Sequence, residues 1–230
     1  VDVDALAVSF THGLLGFQMS GSLAAPLSRL VSVDTATAAV TVLQAGFMSR
    51  DIRGAMFDSL DRLWAVDVQH NSLLQVNPTT GAVISETTLT VGGNTLDLTA
   101  AGQATDLAQS ADGSVQLYAW DLSISGVTKP TIYTLDLATG AMTAAFVDTA
   151  NDVDVTSSLV FPVGLAAGGS GAPGALFALD ADGQDDVFRY DRPGFTRTEI
   201  LANILPGLTT AGGGDLASYA PAAMPEPAGA

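Results

Sequence analysis

The densest cluster of groups able to do chemistry is Asp180-Ala181-Asp182-Gly183-Gln184-Asp185-Asp186, where carboxylates recur around a glycine turn. Hard cations such as Ca²⁺ take six to eight oxygen ligands, and carboxylates at alternate positions of a turn supply them. Asp180, Asp182, Asp185 and Asp186 are therefore the candidate metal ligands, with calcium the only cofactor suggested. The loop departs from an EF-hand: its fourth position is glycine, its twelfth is Asp191 and not glutamate, and no helix flanks it. Read plainly, it is a solvated acidic hairpin.

Other candidates are sparser. Asp67, Asp121 and Asp180 each close a similar apolar stretch, which could set a ring of carboxylates on one rim, although aspartate also ends strands because it makes turns. The two histidines, His12 and His70, read as exposed turn residues. No Gly-x-Ser-x-Gly elbow accompanies them, so no serine triad is indicated. Gly92-Gly93, Gly168-Gly169-Ser170-Gly171 and Gly212-Gly213-Gly214 open no helix, which removes a phosphate-binding loop and leaves them as loops between units. Trp64, Tyr118, Trp120, Phe177 and Tyr190 could stack on sugars, but they sit inside repeated apolar runs and are expected in the core.

Those runs belong to a repeat that must position everything else. Leu73 to Val83 and Ile132 to Met142 share one phrase, a short strand, then Asn/Asp-x-x-Thr-Gly, then a second strand; Leu30 to Val40 and Val187 to Phe195 are weaker copies. Ahead of each phrase stands Leu-aromatic-Ala-apolar-Asp, as in Leu63 to Asp67, Leu117 to Asp121 and Leu176 to Asp180, with Leu14 to Gln18 a degenerate version. Runs of five apolar residues bounded by turn formers read as strands buried on both faces. Further upstream lie small-residue strands, Asp4 to Val8, Arg53 to Phe57, Asp106 to Ser110 and Gly164 to Ala167, with Asp215 to Tyr219 a possible fifth.

Four strands in up-and-down order, repeated, predict the blades of a β-propeller. The phrase turns begin at Asp34, Asn77, Asp136 and Asp191, 43, 59 and 55 positions apart, near the blade lengths of about 40–50 residues in such folds. The expected fold is all-β and propeller-like, with four to five blades of four antiparallel strands; a β-sandwich of irregular repeats is the alternative. Residues 1–220 form the domain and 221–230 an extended tail.

Composition bounds the function. The 230 residues carry 24 acidic against 8 basic side chains, a net charge of -16, with Lys129 the only lysine. Such a field repels phosphate backbones and argues against nucleic acid as a partner. Cysteine is absent, which removes disulfides, thiolate metal sites and cysteine nucleophiles. No apolar run reaches the roughly 18 residues of a membrane-spanning helix. The chain opens on Val1, which reads as a processed or engineered start, and no leader is recognisable.

At the other end, Pro225-Glu226-Pro227 follows a proline- and alanine-rich stretch. It resembles the sorting motif of PEP-CTERM proteins, which Gram-negative bacteria export and process through exosortase. The hydrophobic helix and basic cluster that follow the motif in that family are missing here, and Met224 stands where valine is more usual. The resemblance implies secretion, or residence at the cell surface or in the extracellular matrix. On this reading the chain is non-enzymatic and acts through assembly or adhesion. Its partners are other proteins or its own copies, with extracellular polysaccharide a further candidate. A sugar- or cation-binding propeller module is the alternative, and a hydrolase using two carboxylates comes third.

Overall fold

The computed structural model describes residues 3–22, 24–98, 105–121, 129–147, 161–168, 174–181 and 186–201. They form four antiparallel meanders and, among the described residues, no helix. Blade one comprises β1 (Val3–Ser9), β2 (Gly13–Ser22), β3 (Ala25–Val33) and β4 (Val40–Val42). Blade two comprises β5 (Ile52–Phe57), β6 (Leu63–Asp67), β7 (Ser72–Val76) and β8 (Val83–Thr88), and is followed by a small hairpin of β9 (Thr90–Val91) and β10 (Asn94–Thr95). Blade three comprises β11 (Thr105–Gln109), β12 (Val115–Asp121), β13 (Lys129–Leu135) and β14 (Ala141–Val147). Blade four comprises β15 (Phe161–Ala167), β16 (Ala175–Ala181), β17 (Asp186–Asp191) and β18 (Thr196–Leu201).

The sheets are arranged as a four-bladed β-propeller, so the sandwich alternative is set aside. Asp215 to Tyr219 lies outside the described residues. The first strands are innermost: β1 packs on β5, β5 on β11, and β11 on β15. Small residues are required there because the backbones meet. A Cβ on Gly54 would stand 2.7 Å from the Asp106 Cα.

Alternation along β6 shows how a blade is buried on both faces. Leu63 and Ala65 join Leu15, Phe17 and Leu30 in the core between blades one and two. Trp64 and Val66 point the other way, into a core with Leu107, Leu117 and Tyr133 of blade three. The third core sets Tyr118 and Ile132 against Leu176, Phe188 and Tyr190. Each large side chain so buried contributes roughly 1.5–3 kcal/mol, which is why the sheets hold together only as a set. The aromatic residues Trp64, Tyr118 and Tyr190 are core, as expected.

The phrase closes the outer hairpin of every blade. Asp34, Asn77 and Asp136 each accept hydrogen bonds on their side-chain Oδ1 from the amides two and three residues on. The fifth residue of each turn is left-handed: Ala38, Gly81, Gly140 and, in blade four, Phe195. In the fourth copy the positive φ thus falls on Phe195, one residue after the glycine of the sequence.

That fifth position is also where the preceding blade lands. Gln44 packs on Gly81, the Thr88 carbonyl oxygen packs on Gly140, and Phe146 stacks on Phe195 with ring centroids 5.8 Å apart. Beyond Thr88 the strap continues as β9, which pairs in parallel with β14 at Ala141 and Met142. Gly92-Gly93, expected to be an inter-unit loop, is the tight turn of the β9–β10 hairpin, with both φ values positive.

Candidate active site

At the end of the blades where β5 begins and β6 ends, charged groups of blades one and two converge. Asp67 is the last residue of β6, paired in register with Ile52. It is fully buried. Its Oδ1 accepts the amides of Asp51 and Gln69, at 3.2 and 3.1 Å. Its Oδ2 faces Arg50 Nη1 at 2.9 Å and His70 Nδ1 at 2.7 Å. A buried carboxylate must find partners for both oxygens, and these four supply them.

The loop after Asp67 is itself pinned. The Val68 amide donates to the Asp51 carbonyl, and the Leu89 amide donates to the carbonyl of Asn71. Asn71 adopts a left-handed φ of 51°, and its Oδ1 accepts the Leu98 amide at 2.6 Å. His70 is thereby held with Nδ1 on Asp67 while 47% of its side chain is exposed. Asp67 orients the ring and selects the tautomer that carries its proton on Nδ1, which leaves Nε2 as the basic nitrogen.

Around this pair lies an ion network. Arg50 grips Glu86 bidentately, Nη1 to Oε1 at 2.8 Å and Nη2 to Oε2 at 2.9 Å. Ser72 Oγ donates to Glu86 Oε1. The Arg50 guanidinium, with Ser72 assisting, outweighs burial and holds the Glu86 carboxyl down to about 2. Arg53 bridges Asp51, Nε to Oδ1 at 2.6 Å, and Asp4 of blade one, Nη1 to Oδ2 at 2.8 Å. Asp51 is fully buried and its Oδ2 has no partner; burial pushes its carboxyl up, against the pull of Arg53. Four carboxylates thus face two guanidiniums around His70. Among the described residues no three histidine or carboxylate groups gather in a way that could hold a metal.

The positions anticipated from sequence fare differently. Asp180 and Asp186 face each other in register at the β16–β17 end, while Asp182 and Asp185 lie outside the described residues, as do Pro225, Glu226 and Pro227. Asp67 and Asp121 end equivalent strands, β6 and β12, and Asp180 is one residue short of the end of β16. His12 is a turn residue that also stacks on Phe57, with its Nε2 3.7 Å from Asp61 Oδ2. Ser9 Oγ donates to the same carboxylate, so serine and histidine flank the acid, and no base is set on the hydroxyl. His70 is an exposed turn residue, as expected, and it is also the partner of a buried carboxylate. Asp-x-x-His at the end of an apolar strand was the available signal, but Arg50, which bridges Asp67 and Glu86, lies far from it in sequence.

No protein-family model and no curated protein matches the sequence. Solved structures do match in fold. A gluconolactonase from Xanthomonas campestris superposes with a TM-score of 0.54 at 14% identity, over 86% of this chain and 61% of that one. A Myxococcus xanthus glutaminyl cyclase gives 0.53 at 15%, over 86% and 74%. A chain of a nidogen/laminin complex gives 0.51 at 14%, over 84% and 62%. The chain spans about three-fifths of the length of the gluconolactonase it matches. At these identities the likeness is one of fold.

The expectation of a non-enzymatic assembly protein is corrected here. Two of these three propellers are enzymes, so this architecture carries catalysis. Asp67 does cap its turn, and it also holds a solvent-facing imidazole.

Proposed function

We propose that the chain is an enzyme that uses the Asp67–His70 pair for proton transfer, in hydrolysis of a small lactone or ester. The observation that carries this is the 2.7 Å contact between His70 Nδ1 and the fully buried Asp67. It is the base half of a hydrolytic triad, and among the described residues no hydroxyl hydrogen-bonds Nε2. Water is then the nucleophile. His70 Nε2 removes a proton as the water oxygen bonds to the acyl carbon, and the same proton goes to the leaving alkoxide when the C–O bond breaks. The product is a hydroxy acid, which ionises in water. The gluconolactonase likeness in fold supports a lactone as the first substrate to try.

The test is hydrolysis of δ-gluconolactone and simple aryl esters, followed against pH. Wild-type turnover above the uncatalysed rate, lost in His70→Gln with the fold intact, is the expected result. Equal turnover in His70→Gln would end the proposal. Export to the cell surface stays part of this reading, supported by Pro225-Glu226-Pro227 and tested by fractionating cells of the source bacterium.

A further inference from the structure

At the opposite end of the sheets from His70, the inner hairpins of blades two and three face the outer turns of blades three and four. Between blades three and four this groove is filled. Arg192, from the outer turn of blade four, donates to Asp112 Oδ1 at 3.2 Å and to Ser114 Oγ at 2.9 Å on the hairpin of blade three. Asp112 is held low by its Ser114 hydrogen bond, with Arg192 assisting, so the plug is a cation on a carboxylate.

The same groove between blades two and three is open, with a volume of about 420 Å³. Its wall is the hairpin Asp58–Arg62 with Trp64, and its other side includes Gln109 and the turn residues Asp136 to Ala138. The two hairpins superimpose by their hydrogen bonds. Asp58 and Ser110 both donate four residues on, to the carbonyls of Arg62 and Ser114. Asp61 and Gly113 both take positive φ. Leu60 therefore stands where blade three has Asp112, and Arg62 where it has Ser114. The position that supplies Arg192 in blade four is Leu137 in blade three.

Polarity is thus reversed. The hairpin of blade two offers a cation and an apolar side chain, and the facing turn sets the apolar Leu137 where blade four has Arg192. Arg62 uses Nε and Nη2 on Asp58 Oδ2, and the side chain is still 43% exposed. Asp58 is saturated: burial alone would raise its carboxyl, but bonds from Arg62, Trp64 and two amides hold it low. The remaining guanidinium donors point to no described acceptor. Leu60 is 69% exposed at the rim.

We infer that the groove between blades two and three binds a small amphipathic carboxylate, its acid group on Arg62 and its apolar body along Leu60 and Leu137. A bare anion is disfavoured because Asp136 faces the same space and the molecule is acidic throughout, so the apolar body must supply part of the affinity.

The test is titration of the full chain with hexanoate, hexylamine and hexanol, followed by ¹H–¹⁵N NMR. Hexanoate should give saturable shifts at Leu60, the Arg62 side chain, the Trp64 indole and Leu137. Hexylamine or hexanol should bind at least about fivefold more weakly. Arg62→Gln should weaken hexanoate by a similar factor. Because Arg62 also supports Asp58, Leu60→Ser provides a variant at an exposed tip that leaves the fold intact and should weaken binding about threefold. Asp136→Asn, which keeps the cap as Asn77 does in blade two, should strengthen it about threefold. Non-saturable shifts, amine binding as tight as acid binding, or indifference to both Leu60→Ser and Asp136→Asn would overturn the assignment. His70→Gln should leave the titration unchanged, which separates this groove from the proposed active site.

Discussion

His70 Nδ1 lies 2.7 Å from Asp67 Oδ2, and the two differ sharply in surroundings: the carboxylate is fully buried, while nearly half of the imidazole side chain is in solvent. A partner fixed below and a basic nitrogen left above is the arrangement that a proton-transfer catalyst needs. It also predicts that the two residues respond differently to substitution.

Asp67→Asn should lower turnover by about 10²–10⁴, because the imidazole loses both its orientation and its preferred tautomer. It should also cost about 3 kcal/mol of stability, since Arg50 loses a buried partner. His70→Gln should lower turnover as much but change stability by about 0.5 kcal/mol or less. Paired urea melts and rate measurements check both. Equal stability losses in the two variants would argue that the pair is structural.

Acid stability should depend on Glu86. Its ordinary carboxyl value is 4.5, and in the folded chain Arg50 holds it down to about 2. The folded state then resists the proton that the unfolded state takes up. The stability this provides is complete above about 4.5 and is lost as the pH falls toward 2. Glu86→Gln should be less stable than wild type at neutral pH and should show a flatter decline across that window in urea melts recorded against pH.

Asp51 predicts the reverse dependence. Burial raises its carboxyl, and Arg53 is the group that opposes the rise. Arg53→Gln should therefore destabilise the fold at pH 7, by about 3 kcal/mol, and less so at pH 5, because a raised carboxyl is more readily protonated as the pH falls. Asp51→Asn in the Arg53→Gln background should recover part of the loss at pH 7. Thermal melts at the two pH values, read for all three chains, decide it.

The outer turns give a pair of opposite signs at one structural position. Ala38 has a φ of 57°, and its side chain is exposed. Ala38→Gly removes the left-handed strain and should stabilise by about 0.5–1 kcal/mol. Gly140 has a φ of 69°, and a Cβ there would stand 2.3 Å from the Thr88 carbonyl oxygen. Gly140→Ala should cost about 2–3 kcal/mol through strain and displacement of the strap. Chemical denaturation of the two single variants measures both.

The blades were legible because burial on both faces leaves unbroken apolar runs such as Leu63 to Asp67, and because the outer turns repeat Asp/Asn-x-x-Thr-Gly. The strap was not, since Thr90-Val91 and Asn94-Thr95 are too short to show alternation, and their place depends on β14, some fifty residues later. Phe195 was missed for a related reason. A left-handed phenylalanine contradicts local preference and persists only because Phe146 and the core of blade four hold it. The Asp67–His70 pair lay in plain view as Asp-Val-Gln-His. The ion pair beside it, Arg50 with Glu86, joins residues 36 positions apart, which no local pattern links.

The straps also bear on how such a chain could have arisen and how it could be recombined. Blades two, three and four, as the repeat defines them, are each finished by a segment belonging to the one before: Gln44 on Gly81, Thr88 on Gly140, Phe146 on Phe195. A duplication or graft cut at the repeat boundary would carry a turn without its cover and a strand end without its seat. The transferable module is offset from the visible repeat, running from one outgoing strand to the next outer turn. Chimaeras joined at that offset should fold where chimaeras joined at the repeat boundary do not.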